Sequence, residues 1–399
     1  MTNALISILP NTQQDLLIQI AQTYHQAGYL AVLVGGSVRD LLLEQVPKDF
    51  DFATNAPVEV SFKLFKKVIP TGVKHGTVTL IFSGHSIEVT CFRKDVQTDG
   101  RHAVVQFSDS LEDDLCRRDL RINAIAYNLL TQQLVDPQAG LADIQNRQVH
   151  FVGAAKQRIL EDHLRGIRYI RMIQKLRPFG FSYQATDLEE VRQVFQPEFL
   201  SIERIYDELK KMQDTSFEGL GWLVTQLSQL RIFRQFLSDQ AHTKALHWMF
   251  LLKSHTPLAV LSLLEKDTPN ALEVLRLTKQ EKRQTRILLN YLPQDLHHGT
   301  TLKSFLSRCS VAERLEMVKL IEGLSGQEVV VTAQKIIDQK EPLDLAQLAI
   351  GSDDLIKRGY TGAKLGEIQH FLLEQVWKDP NLNQIHRLRR LCPGPHSLE

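Results

Sequence analysis

Two aspartates separated by one residue, Asp49 and Asp51, follow a double glycine, Gly35-Gly36. The segment reads Leu33-Val34-Gly35-Gly36-Ser37-Val38-Arg39-Asp40, then a short apolar run, then Lys48-Asp49-Phe50-Asp51-Phe52. On a β-strand, residues i and i+2 face the same way. This spacing therefore predicts both carboxylates on one face, with Phe50 and Phe52 buried behind them. Two carboxylates so placed repel unless a cation lies between them. Mg2+ is held by one or two carboxylates, with substrate phosphates completing its shell. A strand that turns through glycines into a helix offers free backbone N–H groups to an anion. A metal beside a phosphate cradle predicts nucleotidyl or phosphoryl transfer. Taken alone, the double glycine reads equally well as a plain tight turn, and the two acids as alternate residues of a surface strand. In this order and spacing each strengthens the other.

Further candidates lie downstream. Glu88 stands in Ser86-Ile87-Glu88-Val89-Thr90, a strand pattern. Beside the Asp51 strand it would be a third carboxylate, binding metal or taking a proton from an attacking hydroxyl. As an exposed strand acid it would do neither, and the spacing does not choose. In Glu112 to Ala126 the period of Leu115, Ile122 and Ala126 predicts a helix, with Arg118, Asp119 and Asn123 sharing part of one face. Arginine suits phosphate, while Asp and Asn suit ribose hydroxyls. A solvated charged face is the commoner reading of such a run. Asp162 and Arg165, three apart, are predicted on one helix face, where an exposed ion pair would contribute roughly a few tenths of a kcal/mol.

The elements that must position these groups are readable from hydropathy. Asp15 to Ala27 is predicted helical with Gly28 as its stop, Tyr29 to Val34 a buried strand, Val38 to Leu43 a short helix, and Phe50 to Thr54 the metal strand. Pro57 to Phe65 reads as helix. Gly76 to Phe82 and Ser86 to Phe92 alternate as a hairpin around Ser83-Gly84-His85, and Arg93 to His102 reads as a loop before a short strand, Val104 to Phe107. Leu160 to Gln174 is predicted to be one long helix, and beyond it only helical patterns recur, Leu258 to Leu263 among them. The expected domains are a mixed α/β head over 1–150, a helical neck over 151–215, and a helical body and tail over 216–399.

With 399 residues, the chain exceeds what one core sustains. Its net charge of +1 leaves any nucleic-acid surface local rather than global. Cys91, Cys116, Cys309 and Cys392 form no CxxC pair, so neither a zinc site nor a disulfide framework is indicated, and a reducing cytoplasm is the expected compartment. No apolar run approaches the ~20 residues of a membrane helix, and Met1 to Gln13 lacks the features of a signal peptide.

In order along the chain, these motifs resemble those of the class II tRNA nucleotidyltransferases, the CCA-adding and poly(A) polymerase group of the DNA polymerase β superfamily. Gly35 to Asp40 with Asp49-Phe50-Asp51 is similar to GG-x-x-RD…DxD. Arg117 to Ala124 is similar to RRD-x-x-x-NA, and Asp136 to Ile144 resembles the DP-x-x-G-x-x-D turn. Glu161 to Arg168 resembles ED-x-LR-x-x-R, and Ser201 to Leu209 resembles S-x-ER-x-x-x-EL. The match is strong over roughly residues 30 to 212, with a weaker one at Gly359 to Gly366.

The resemblance implies an α+β fold: a polymerase-β-like nucleotidyltransferase head, a mixed sheet with helices, followed by an all-helical neck, body and tail. It implies two Mg2+ ions on Asp49 and Asp51, with Gly35, Gly36 and Arg39 gripping the triphosphate. Arg118 would face phosphate, Asp119 the ribose 2′-OH, and Asn123 the sugar and phosphates. Asp162 and Arg165 would read the Watson–Crick edge of C or A, with Glu161 orienting Arg165 and Arg168 touching base or phosphate. The implied substrates are CTP and ATP, and the implied partner is the acceptor stem and 3′ end of tRNA, with no protein partner inferred. The implied activity is C, C, A addition; CC-adding or A-adding specialists and a poly(A) polymerase are the alternatives.

The chain departs from the family pattern at three places. Leu120-Arg121 replaces the usual Phe-Thr, which sets a charge near the nucleotide. His163 stands where Pro is usual. The loop Arg93 to Gln106, which in the family governs the change from C to A addition, is slightly compact.

Overall fold

Alternation along His85–Cys91 puts Ile87, Val89 and Cys91 inside and leaves Ser86 and Glu88 exposed. That strand, β5, is an inner strand of a seven-stranded mixed sheet in a computed structural model of the chain. The structure describes residues 4–98, 103–212, 217–234, 237–252, 256–258, 260–261, 275 and 277–393. The other strands of the sheet are β1 (Ala31–Val34), β2 (Asp51–Thr54), β3 (Val68–Gly72), β4 (Thr77–Phe82), β8 (Ala126–Asn128) and β9 (Gln133–Val135), in the order β3-β4-β5-β2-β1-β8-β9. Only β2 and β5 run parallel; the remaining neighbours are antiparallel.

The sheet has two different faces. Leu33, Phe52, Leu80, Ile87 and Val89 pack with Leu17, Ile20 and Tyr24 of the helix α1 (Asn11–Gln26) into one apolar core. The opposite face carries Asp51, Glu88, Thr90 and Thr77, and Thr77 and Thr90 share a 3.0 Å hydroxyl contact. Helix α2 (Gly36–Leu42) follows β1 directly, and α3 (Val58–Leu64) closes the other side of the core.

Three local expectations are corrected. Asp49 is not on a strand: it occupies an exposed bend, and β2 begins at Asp51. Phe50 and Phe52 are both buried, as the alternation required. Arg118, Asp119 and Asn123 do not share a helix. Helix α4 (Leu111–Cys116) ends before them, and a 3-10 turn, Arg121–Asn123, leads into β8. Leu115, Ile122 and Ala126 are all fully buried, but on three different elements. Here the backbone pairs with a distant segment instead: Val152 N–H donates to the Asp119 carbonyl, and Arg121 N–H to that of His150. Finally, β6 (Arg93–Thr98) pairs with β7 (Ala103–Phe107) where a loop was expected; residues 99–102 of that loop lie outside the described residues.

Helix α5 (Gly140–Gln145) packs Leu141 and Ile144 against the head core. Past the head, α6 (Ala155–Glu161), α7 (Leu164–Leu176), α8 (Ala185–Val194), α9 (Ile202–Lys210) and α10 (Phe217–Gln229) pack around a buried stripe of α7 that includes Ile167, Ile170 and Ile173. A two-residue ladder, β10 (Gln148–Val149) with β11 (Ser182–Tyr183), is interleaved with them. The long helix expected from Leu160 is broken at Asp162, whose backbone is extended (φ −156°, ψ 108°). The aspartate side chain accepts the Leu164 N–H at 3.1 Å, competing locally with the helix ladder.

The chain falls into two compact units, Met1–Arg234 and Gln235–Glu399. Among its described residues the second unit is helical, including Lys279–Tyr291, Gly299–Arg308, Arg314–Ser325 and Ala363–Lys378. Thr278 and Glu281 form a reciprocal cap that starts the first of these. Lys303, although buried, is satisfied by Glu341 and the Trp377 carbonyl. Of the expected helix 258–263, residues 258, 260 and 261 are helical and the others lie outside the described residues.

Candidate active site

The double glycine sits where β1 gives way to α2. Gly35 has φ +71°, a conformation that a side chain rarely adopts, and a Cβ there would lie 3.0 Å from Nη1 of Arg118 and 3.9 Å from Oδ2 of Asp51. Only glycine therefore brings backbone this close to both groups. Asp51 is paired directly with Glu88 across the parallel β2–β5 ladder, so both carboxylates stand on the open face. Burial, then repulsion from Glu88, pushes the Asp51 carboxyl up to about 6, with Asp49 adding to the rise and Arg118 and Arg39 opposing it. Asp49 thus lies within electrostatic reach of Asp51 despite its place on the bend.

A cleft of about 410 Å3 opens here, a size that suits one nucleotide. Asp51, Glu88, Gly35, Gly36, Asp119 and Asn123 line it together with seven arginines: 39, 93, 117, 118, 165, 168 and 171. Seven cations against three carboxylates favour a polyanion. Asp49, Glu161 and Asp162 are not among the lining residues.

Much of this charge is tied into the protein. Arg39 is 3% exposed and spends four of its five N–H groups internally: Nε and Nη2 on Asp40, and Nη1 on Asn123 Oδ1 (2.6 Å) and Met172 Sδ. The fully buried Asp114 receives both Arg117 (2.6 Å) and Arg118 (2.9 Å). Burial raises its carboxyl, but the two guanidiniums outweigh that and hold it below the usual range. Asp119 is likewise buried; Oδ1 accepts the Leu120 N–H and the Asn123 amide, while Oδ2 pairs with Arg168 at 3.0 Å. Arg168 and Arg165 overcome the effect of burial and keep it ionised.

At the start of α7, Arg165 pairs with Glu161 at 2.5 Å and donates to the Arg117 carbonyl at 3.0 Å. Glu161 also holds Arg158. Asp162, off the helix, pairs with Arg204 at 2.7 Å. The shared helix face expected for Asp162 and Arg165 is therefore replaced by a turn followed by a helix start. Arg121 is turned away from the cleft, its Nε on the Phe151 carbonyl at 3.1 Å. Asp114 and the pair Arg171–Glu208 (2.6 Å) were not singled out from sequence. Asp114 could have been found from its spacing to Arg117 and Arg118, i to i+3 and i+4.

Among the described residues no group of three or more His, Cys, Asp or Glu is gathered tightly enough to form a ready-made metal cage. The donor set still fits a divalent cation that shares substrate oxygens: two strand carboxylates paired across the ladder, one of them raised by burial and by repulsion from the other.

A mixed sheet of this order, with an acidic open face beside a glycine turn, defines a polymerase-β-like nucleotidyltransferase head. Residues 31–150 match the family model of the poly A polymerase head domain. The whole chain is similar to the mitochondrial CCA tRNA nucleotidyltransferase 1 of Danio rerio, at 32% identity over 91% of this chain and 87% of that protein. It is also similar to the CCA-adding enzyme of Lactobacillus helveticus, at 29% over 90% and 91%. Among solved structures, the Bacillus stearothermophilus CCA-adding enzyme in complex with CTP matches with TM-score 0.68 and 25% identity, covering 92% of this chain and 93% of that one. The Thermotoga maritima CCA-adding enzyme complexed with tRNA shares the fold at TM-score 0.73 and 18% identity, over 99% and 98%. The chain belongs to the CCA-adding tRNA nucleotidyltransferase family.

Proposed function

We propose that the protein adds C, C and A to the 3′ end of tRNA, using CTP and ATP and releasing pyrophosphate. The observation that carries this is the Asp51–Glu88 pair on the open sheet face, with Oδ2 of Asp51 3.9 Å from where a Gly35 side chain would begin, in a cleft walled by arginine. Whole-chain similarity to proteins named as CCA-adding enzymes favours this reading over a CC-adding, A-adding or poly(A)-forming one.

Asp51 and Asp49 are the groups that would hold Mg2+, with Glu88 as a third acid beside them. Mg2+ bound there supplies charge neutralisation for the triphosphate and a lowered pKa for the attacking 3′-hydroxyl. The backbone N–H of Gly36 meets phosphate oxygens at the start of α2, while Gly35, whose own N–H goes to the Ile125 carbonyl at 3.3 Å, lets the phosphate approach closely. Arg118 and Arg168 add cationic charge along the triphosphate. Asp119, kept ionised by Arg168 and Arg165, accepts the ribose 2′-OH. Arg39 and Asn123 hold the turns on which these groups ride. Arg165, oriented by Glu161, and Asp162, held by Arg204, select cytosine and adenine by their edges.

In domain terms, residues 1–150 perform the chemistry, 151–215 select the base, and 216–399 hold the acceptor arm by shape and phosphate contacts. The hairpin Arg93 to Gln106 is the element assigned to the change from C to A addition. No helix among the described residues is long and apolar enough to cross a membrane, and Cys91, Cys116, Cys309 and Cys392 are free thiols, which fits a cytoplasmic protein.

The test is incorporation into tRNA lacking its 3′ end, with CTP and ATP supplied separately and together. Growth by C, C and A followed by arrest is expected; a long A tail on arbitrary RNA would overturn the assignment. Asp49→Ala is expected to keep tRNA binding and lose incorporation.

A further inference from the structure

His163 is 2% exposed at the break between α6 and α7, next to Asp162. The cleft residues do not include it. Its ring is clamped to a distant segment. Nδ1 accepts the backbone N–H of Gln196 at 3.1 Å, and the ring stacks on Phe199 with centroids 4.8 Å apart and planes at 17°. Phe195 meets it edge-on. Since a backbone N–H can only donate, Nδ1 must be unprotonated. Burial agrees, holding the imidazole below its ordinary pKa against the pull of Asp162 and Glu198.

The backbone explains why such a clamp is needed. Asp162 is extended, and His163 has φ −58°. A proline at 163 would fix that φ and, by steric clash, keep the preceding residue extended. Histidine imposes neither restraint, so the turn is held through the side chain instead. Asp162 in turn presents a carboxylate aimed by the Leu164 N–H and by Arg204.

We propose that His163 is a positioning residue for base selection: the bond its Nδ1 accepts from the Gln196 N–H fixes the turn that aims Asp162 and sharpens discrimination of cytosine against uracil. This rests on the reading that Asp162 and Arg165 select the base.

The test measures kcat/KM for CTP and for UTP on tRNA lacking its 3′ end. It compares the wild type with His163→Phe, His163→Asn and Asp162→Ala. Phenylalanine keeps the stacking ring but leaves the Gln196 N–H without an acceptor. Asparagine places an oxygen near the position of Nδ1. The CTP-to-UTP ratio is expected to fall about tenfold in His163→Phe, the scale of one orphaned buried hydrogen-bonding group, and to stay within about threefold of wild type in His163→Asn. A ratio does not depend on the fraction of protein folded, so partial unfolding leaves it interpretable. If Asp162→Ala relaxes the ratio and His163→Phe does not, the role of His163 is overturned while base selection stands. Equal losses in Phe and Asn also overturn it, because the acceptor would then be irrelevant. An unchanged ratio in Asp162→Ala overturns the base-selection reading itself.

Discussion

Nη1 of Arg39 donates to Oδ1 of Asn123 at 2.6 Å, joining helix α2 to the 3-10 turn 84 residues further along the chain. The same guanidinium forks onto Asp40, which also takes Lys175 of α7 at 3.0 Å, and it reaches Met172 of that helix. One buried cation thus ties the glycine turn, the turn after Asp119 and the neck helix together. A residue whose type suggested phosphate binding lines the cleft with most of its N–H groups engaged inside the protein.

Asn123→Ala is expected to lower stability by about 1–3 kcal/mol, because it strips an acceptor from a buried charged donor. Urea unfolding midpoints measure this. Unchanged stability with lost incorporation would instead give Asn123 a role toward the substrate alone.

Asp51 titrates at about 6 in the metal-free fold, above the ordinary carboxyl value of 3.8. Its contribution to stability is therefore fully present below about pH 4 and is lost as pH rises through about 6, when the ionised form is left buried beside Glu88 and Asp49. Asp51→Asn is expected to stabilise the metal-free protein at pH 7.5 by about 1–2 kcal/mol while abolishing incorporation. Thermal melts with and without MgCl2 supply the second readout. The wild type should gain stability from Mg2+ and the variant much less; a wild type indifferent to Mg2+ would remove the metal assignment.

Asp114 behaves in the opposite sense. Its carboxyl is held low by Arg118 and Arg117 in spite of burial. The stability it contributes is present above the unfolded carboxyl pKa near 4 and is lost as pH falls through the depressed folded value. Asp114→Asn should cost about 3–5 kcal/mol at neutral pH, since two guanidiniums lose their counter-ion. It should also flatten the acid limb of stability below pH 4 and weaken CTP binding through Arg118. Urea midpoints across pH 3–7 and the KM for CTP test both expectations.

Asp119→Ala removes the acceptor assigned to the ribose and leaves Arg168 without its 3.0 Å partner. The preference for CTP over dCTP is expected to fall about tenfold or more, the scale of one charged hydrogen bond. Competition between the two triphosphates in single-nucleotide incorporation measures it. An intact preference would return Asp119 to a purely structural role.

Legible in the sequence were the order of the motifs, the buried strands and the change from mixed head to helical arm. Each of these reports on burial along a single element, and apolar spacing encodes that locally. The Phe50 and Phe52 alternation and the strand around Glu88 were read in this way. Local spacing could not say that the chain turns out of helix after Cys116. That outcome was set by the pairing of the Asp119 to Arg121 backbone with His150 to Val152. Nor could it show that Asp162 leaves the helix, since its partner Arg204 lies 42 residues away.

By itself the sequence determined which chemical groups the protein owns, and the order in which the chain delivers them to a glycine turn and an acidic strand. Only the tertiary structure decided which charges are free for substrate and which are already spent on one another. Arg39, Arg117 and Arg121 look alike as side chains. Their roles diverge because Arg117 pairs with Asp114 one helical turn away, whereas the hydrogen bonds of Arg39 to Asn123 and of Arg121 to the Phe151 carbonyl are made across long stretches of chain, where the energy of pairing a buried cation outweighs any local preference.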